Sequence, residues 1–136
     1  PSMDMAILAA AVSDYRPKQS ATQKIKRSGD QFTLELIENP DIAAALGKQK
    51  KAGQFIVGFA LETNDAEAHA REKLKKKNFD LIVLNSLQDP GAGFDHDTNR
   101  VTIIGEGNKL RKFELKSKTE VAEDILDSLQ NLLSED

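Results

Sequence analysis

Cysteine and tryptophan are absent from this sequence, and only two histidines occur in its 136 residues. Without cysteine there is no disulfide, no thiol nucleophile and no thiolate-bound metal. His69 and His96 stand far apart in the chain, which gives no support to a histidine metal site, and no metal ligand is identified. Long hydrophobic runs are missing too. The longest, Met5–Val12, is far too short to span a bilayer, and no secretory segment leads the chain, so the expected setting is cytoplasmic with no membrane partner. A formal net charge of −3 supplies no general attraction to nucleic acid, so anion binding must come from a local cluster of cations. The usual phosphate signatures are also lacking. Gly91-Ala92-Gly93 and Gly105-Glu106-Gly107 do not open helices after strands, and there is no P-loop. A nucleotide, if bound, is held by side-chain cations and backbone.

What is present describes an ordinary soluble chain, 39% hydrophobic and 30% charged, of a size that suits one domain with a real core. Met5–Val12 is continuously apolar, as expected of a strand buried on both faces of a parallel sheet. Ser13–Asp30 reads as a long polar loop, a length that usually marks a lid or an unstructured segment. Phe32–Glu38 partly alternates and reads as a half-exposed strand. Asn39-Pro40-Asp41 is a strong helix start, with an N-cap candidate, a first-turn proline and an acid at the positive dipole end, for a helix to about Lys51. A second buried strand follows at Phe55–Leu61. Asn64, with Glu67 three residues on, suits the capped start of a helix reaching about Lys77. Asp80–Asn85 reads as a third core strand, Ser86–Asn99 as a Gly/Pro/Asp loop, and Val101–Ile104 with Arg111–Leu115 as a hairpin around Gly105–Asn108. Val121, Ala122, Ile125, Leu126, Leu129, Leu132 and Leu133 form a helical stripe over Thr119–Leu133. Alternating strands and helices argue for an α/β sheet with at least a parallel core, to which the hairpin is an extension.

Several strand ends carry polar residues. Ala9-Ala10-Ala11-Val12-Ser13-Asp14 runs from apolar through tiny residues to an acid, so that small Ala10 permits close approach and Asp14 offers a polar contact. In open α/β sheets, ligands bind beyond such strand ends. Arg71, Lys73, Lys75, Lys76 and Lys77 crowd one helix end, and Lys73 and Lys77, four apart, project from one face. They suit a polyphosphate, and equally they complement the helix dipole. Lys24, in the long loop, is either a lysine that closes over phosphate or a solvated one. Asp41 would repel phosphate, which leaves ribose hydroxyls or base donors as its partners. Phe59 beside Gly58 offers an aromatic face to a base, or simply packs in the core, and Asn85 either hydrogen-bonds a substrate or starts a turn.

Taken in order, Ala10–Pro17, Lys24-Ile25-Lys26, Asn39-Pro40-Asp41-Ile42, Gly58-Phe59-Ala60-Leu61-Glu62-Thr63, Lys73-x-x-x-Lys77-x-x-Asp80 and Asn85 resemble phosphopantothenoylcysteine synthetase, also called phosphopantothenate–cysteine ligase. The resemblance runs from about Ala6 to Leu133. It implies an α/β fold with a three-layer Rossmann-like, largely parallel sheet and a β-hairpin extension, in a dimeric enzyme of coenzyme A biosynthesis. Such an enzyme uses CTP and Mg²⁺ to convert 4′-phosphopantothenate into an acyl-cytidylate and joins it to cysteine. It implies nucleotide contacts at Asp14, Pro40, Asp41, Ile42, Ala43, Phe59, Lys73 and Lys77, and a catalytic loop lysine at Lys24. Bacterial members are commonly fused behind an FMN-dependent decarboxylase, of which nothing appears in this sequence. The family's N-terminal part, with a Gly-rich turn, an intermediate-binding Asn and a Ser-Ser-Gly-Lys segment, is also missing. The expectation is therefore the C-terminal, nucleotide-binding portion, with the first strand–helix units of the sheet and the phosphopantothenate half of the site outside it. One rival is a non-catalytic nucleotide-binding module or inactive fragment; another is a Rossmann oxidoreductase domain, disfavoured because no glycine fingerprint follows a strand.

Overall fold

A computed structural model describes residues 3–27, 29, 31–62, 64–86, 96–107 and 109–134. In chain order the elements are β1 (Met5–Leu8), β2 (Tyr15–Pro17), β3 (Leu36–Glu38), α1 (Ile42–Gln49), β4 (Phe55–Glu62), α2 (Ala66–Lys76), β5 (Leu81–Ser86), β6 (Thr98–Asn99), β7 (Val101–Gly105), β8 (Leu110–Lys112), β9 (Lys116–Ser117) and α3 (Lys118–Ser134). The chain divides into two compact units, one of residues 10–42 and one of the residues before and after them.

The larger unit is built on a five-stranded sheet in the order β1-β4-β5-β7-β8. β1, β4 and β5 run parallel, with Met5 opposite Phe55 and Val57 opposite Leu81. β7 and β8 continue the sheet antiparallel. Side chains alternate between the faces, and each face has its own core. On one, Val57, Leu81, Val83, Val101 and Ile103 meet Val121, Ile125 and Leu129 of α3. On the other, Ile56, Ala60, Ile82, Leu84 and Ile104 meet Ala70 and Leu74 of α2, with Ala43 and Leu46 of α1 packed against them. Helices thus cover both faces, the three-layer arrangement that the resemblance implies.

The continuous apolar runs of β4 and β5 are explained by burial on both faces, as the sequence suggested. β1 behaves differently. It ends at Leu8 rather than Val12, is only half buried, and leaves Ile7 exposed, because within the described sheet it has a neighbour on one side alone. In α3 the buried positions are Val121, Ile125 and Leu129, one per turn, while Leu126 and Leu133 of the expected stripe are exposed. Each such buried aliphatic side chain contributes about 1.5–3 kcal/mol. Ser117 caps α3: its Oγ accepts from the Glu120 N–H at 3.3 Å, and a Glu120 carboxylate oxygen accepts from the Ser117 N–H at 3.0 Å. The hydroxyl and the backbone N–H of Ser117 hold the Glu120 carboxyl below the usual carboxylate range. The cap's contribution is therefore present above the ordinary carboxylate pKa and is lost as pH falls through the lowered one.

α2 starts and stops differently from expectation. Its N-cap is Asp65, in the left-handed region and with no side-chain cap hydrogen bond, rather than Asn64. At its other end the chain turns sharply through Asn78, φ +53°, whose Nδ2 donates to the Gly47 carbonyl at 2.9 Å. Gly47 has no room for a side chain, since a Cβ there would sit 1.9 Å from the Lys77 carbonyl oxygen. Gly58 likewise receives the Phe79 ring, 2.1 Å from where a Cβ would be. Asp80 completes the corner. One carboxylate oxygen accepts from Lys50 Nζ at 2.8 Å and the other from the Ile56 N–H at 2.6 Å, while the Asp80 N–H donates to the Ile56 carbonyl. Lys50 and Asp80 side chains are 14% and 19% exposed, so the pair is shielded enough to matter.

The smaller unit is a β2–β3 hairpin with Tyr15 opposite Glu38 and Pro17 opposite Leu36. This corrects two expectations: Tyr15–Pro17 is strand rather than loop, and only Leu36–Glu38 of Phe32–Glu38 is strand. Lys18–Glu35 closes the hairpin as an ion pair at 2.5 Å. The expected loop Ser86–Asn99 lies mostly outside the described residues, as do Gly91-Ala92-Gly93, Thr63 and Asn108; Thr98 and Asn99 form β6. Among the described residues no helix is long and apolar enough to cross a membrane.

Replacing Asp80 by Ala is expected to cost about 2–3 kcal/mol, because it strands the buried Ile56 N–H and leaves the Lys50 ammonium without its counter-charge. Asp80→Asn, which keeps an acceptor, is expected to cost about half as much. Thermal unfolding of both variants checks the order, and an Asp80→Ala protein as stable as the parent would remove this corner from the fold's support.

Candidate functional site

In the larger unit Glu62, Asn85 and the Lys73 ammonium lie at the C-terminal ends of the parallel strands, whereas Lys77 lies against Gly47, just before the start of β5. β4 ends at Glu62 and β5 at Ser86, which are paired in register, as are Leu61 and Asn85. Glu62 has a side chain only 16% exposed. It lies on the α2 face, since Ile56 and Ala60, an even number of residues before it, belong to that core. Lys73 Nζ donates to Glu62 Oε1, and Glu62 Oε2 lies 3.6 Å from His69 Nδ1. Lys73 and His69 are one helical turn apart on α2, so the carboxylate bonded by Lys73 also faces His69 from the same helix face. Lys73 is 43% exposed at its side chain. One face of its ammonium is engaged and the remainder is open to a ligand.

Lys77 is the C-cap of α2, its N–H donating to the Lys73 carbonyl at 3.0 Å. Its backbone is fixed by Gly47, as described above. Lys73 is thus positioned by its side-chain bond to Glu62, and the Lys77 backbone is fixed at the helix end. Phe59 is half buried against the α3-side core, on the opposite sheet face from Lys73's partner Glu62. It serves that core, whatever else it does. Asn85, also half buried, accepts from Asn99 Nδ2 at 3.2 Å and ties β5 to β6. Ala43 packs against the α2-side core. A cleft of about 390 Å³, lined by Arg71, Leu74, Lys75, Glu106 and Gly107, contains none of the expected site residues. The site in this unit is thus defined by the chemistry of the strand ends.

In the hairpin unit, Asn39 organises the rest. It does not act as the side-chain cap expected of it, and α1 begins only at Ile42. Its Nδ2 donates to the Ser13 carbonyl at 2.7 Å, its N–H donates to the Asp14 carbonyl at 2.7 Å, and its Oδ1 accepts from Arg16 Nη1 at 2.7 Å. Arg16 Nη1 also donates to the Glu38 carbonyl at 3.1 Å. Asp14 and the Pro40–Ile42 turn are thereby held together, although 26 residues separate the bonded pair. Asp14, Lys24, Pro40, Asp41 and Ile42 are all exposed, as is Ala10.

Glu62, His69, Arg16 and Asn99 were missed as site residues. For Glu62 a signal existed: it ends a buried apolar run, as Asp14 and Asn85 do, and the same reasoning applied there would have singled it out. Among the described residues no group of three or more His, Asp or Glu could hold a metal ion.

Residues 1–133 match the family described as DNA/pantothenate metabolism flavoprotein C-terminal domain. The chain is 55% identical over 130 residues to a protein named cysteine/cysteine sulfinic acid decarboxylase from an unknown prokaryotic organism, covering 96% of this chain and 36% of that protein. It is 44% identical over 129 residues to the coenzyme A biosynthesis bifunctional protein CoaBC of Bacillus subtilis, covering 95% of this chain and 32% of the relative. The chain therefore spans about a third of the length of the relatives it matches. Among solved structures it resembles the crystal structure of the C-terminal domain of a coenzyme A biosynthesis bifunctional protein CoaBC, with a TM-score of 0.77 and 34% identity, covering 99% of this chain and 57% of that one. The resemblance read from the ordered segments holds, and the chain belongs to the DNA/pantothenate metabolism flavoprotein C-terminal domain family.

Proposed function

We propose that this chain is the nucleotide-binding portion of a CTP-dependent phosphopantothenate–cysteine ligase of coenzyme A biosynthesis. The observation that carries the reading is its end-to-end likeness to the C-terminal domain of CoaBC. The decarboxylase named among the relatives is a protein of which this chain spans 36%, and that name is not extended to this chain.

In this reading a carboxylate oxygen of 4′-phosphopantothenate attacks the α-phosphorus of CTP. The bond from that phosphorus to the bridging oxygen breaks, and pyrophosphate leaves. The cysteine amine then attacks the acyl carbon, CMP departs, and the amine proton passes to solvent. Both reacting partners of the first step are anions, so catalysis consists mainly of positioning and charge stabilisation. No side-chain nucleophile is needed. Lys73 and Lys77 serve the polyphosphate. Asp14 and the Pro40–Ala43 turn serve the ribose hydroxyls or base donors, since carboxylates repel phosphate, and Phe59 offers its ring to the base. Asn85 contributes through the strand end it braces. Lys24, exposed in the hairpin unit's connecting segment, supplies positive charge to the reacting phosphate. Magnesium enters this scheme as part of the nucleotide substrate, and no step is routed through it.

The homodimer implied by the family is supported by the hairpin unit's surface. Val12, Tyr15, Phe32, Leu34 and Leu36 are each at least half exposed, a concentration of apolar side chains that suits a second copy of the same surface. Sedimentation is expected to show a dimer for the parent and a monomer for the Phe32→Ser, Leu34→Ser double variant. A monomeric parent would remove the dimer from the proposal.

Lys24→Gln in the full-length protein is expected to slow amide formation by about 10²-fold, the scale of losing one transition-state donor, while weakening CTP binding only modestly. Turnover by pyrophosphate release and affinity by calorimetry separate the two effects. Equal losses in both would assign Lys24 to binding rather than catalysis.

A further inference from the structure

Glu62 has no part in the scheme above, yet its carboxylate is held at the end of β4. Its side chain is largely buried, one oxygen bonded to Lys73 Nζ and the other facing His69 Nδ1 at 3.6 Å. A carboxylate beside a lysine meant for phosphate is at first sight a liability, because it repels the same anion. The geometry points to a different effect. A lysine has four rotatable bonds and loses much of that freedom when it binds an anion, a cost that falls if the ammonium is already held. An ammonium carries three donors, and a single acceptor on Glu62 leaves two for phosphate oxygens.

We infer that Glu62 is a positioning residue for the nucleotide: it holds the Lys73 ammonium at the end of β4, aimed and partly desolvated, before CTP arrives. The inference rests on the ligase reading of Lys73. His69 Nδ1 stands 3.6 Å from the second oxygen, on the same helix face as Lys73. Position and charge make opposite demands here, and two near-isosteric variants separate them. Glu62→Asp keeps the charge but is one methylene too short to reach Lys73 from the same strand position. Glu62→Gln keeps the reach and a carbonyl acceptor but removes the charge.

Calorimetric titration with CTP and Mg²⁺ is the test. Glu62→Asp is expected to weaken CTP binding about five-fold, while Glu62→Gln stays within about two-fold of the parent, the scale of coupling between contacting groups. Combined with Lys73→Ala, Glu62→Asp is expected to add no further loss, a non-additivity that a merely structural role for Glu62 would not produce. The reverse order, with Asp like the parent and Gln altered, overturns the inference, as does tighter CTP binding in either variant or a fully additive double variant. If Lys73→Ala weakens CTP binding and Glu62→Asp does not, only the role of Glu62 falls. If Lys73→Ala leaves CTP binding unchanged, or the parent binds no CTP, the nucleotide reading itself fails and this inference fails with it.

Discussion

Four consecutive residues, Lys77 to Asp80, fix where α2 stops and β5 begins, and the placement of the strand ends depends on them. Each makes a contact that tolerates little change. The Lys77 carbonyl lies where a Gly47 side chain would be, and Asn78 turns through a left-handed conformation to donate back to Gly47. The Phe79 ring fills the space above Gly58, and Asp80 bonds both Lys50 and the Ile56 backbone. Two glycines admit the close approach, and one carboxylate satisfies a backbone donor at the point where β4 has not yet met β5. With the helix end fixed this way, the direction of α2 is set, and Lys73 is brought over Glu62.

That corner joins fold to chemistry. The larger unit keeps its apolar side chains in two separate cores, one on each sheet face, and among the described residues no polar or charged residue is buried. Polar function is confined to the margins, where strands end. Glu62, Asn85 and Asp80 all sit at strand termini and all are paired, with Lys73, Asn99 and Lys50 respectively. Charged groups in such half-buried positions are stable only when matched, and the matching also aims them. In the hairpin unit Asn39 does the same work without charge, joining the Ser13–Asp14 backbone to the turn before α1.

The sequence made β4, β5, the β7–β8 hairpin and α3 readable, because burial leaves a periodic or continuous apolar signature. It misled for Met5–Val12, since an apolar composition does not reveal whether a strand has one neighbour or two. Ser13–Asp30 hid a strand because Tyr15–Pro17 is polar at its centre and fully exposed, so no hydrophobic pattern marks it. The ordered lysines and acids were visible as candidates, and the family resemblance gave them roles. Their partners were not visible. Asn39 looked like a helix cap by residue type, yet its side chain reaches back 26 residues, a distance along the chain that no local rule covers. Glu62 and Lys73 lie 11 apart, one ending β4 and the other two turns into α2. Local propensity also failed at Asp65, where a left-handed residue opens α2 without the side-chain bond that Asn64 and Glu67 suggested.

The central proposal is that a chain with no glycine fingerprint and no P-loop binds a cytidine nucleotide through its side chains. Calorimetric titration of the protein with CTP, ATP and NAD⁺, each with Mg²⁺, tests it most directly. CTP is expected to bind and NAD⁺ to give no heat of binding. Tight binding of NAD⁺ with none of CTP would contradict the claim and return the chain to the dinucleotide-binding folds.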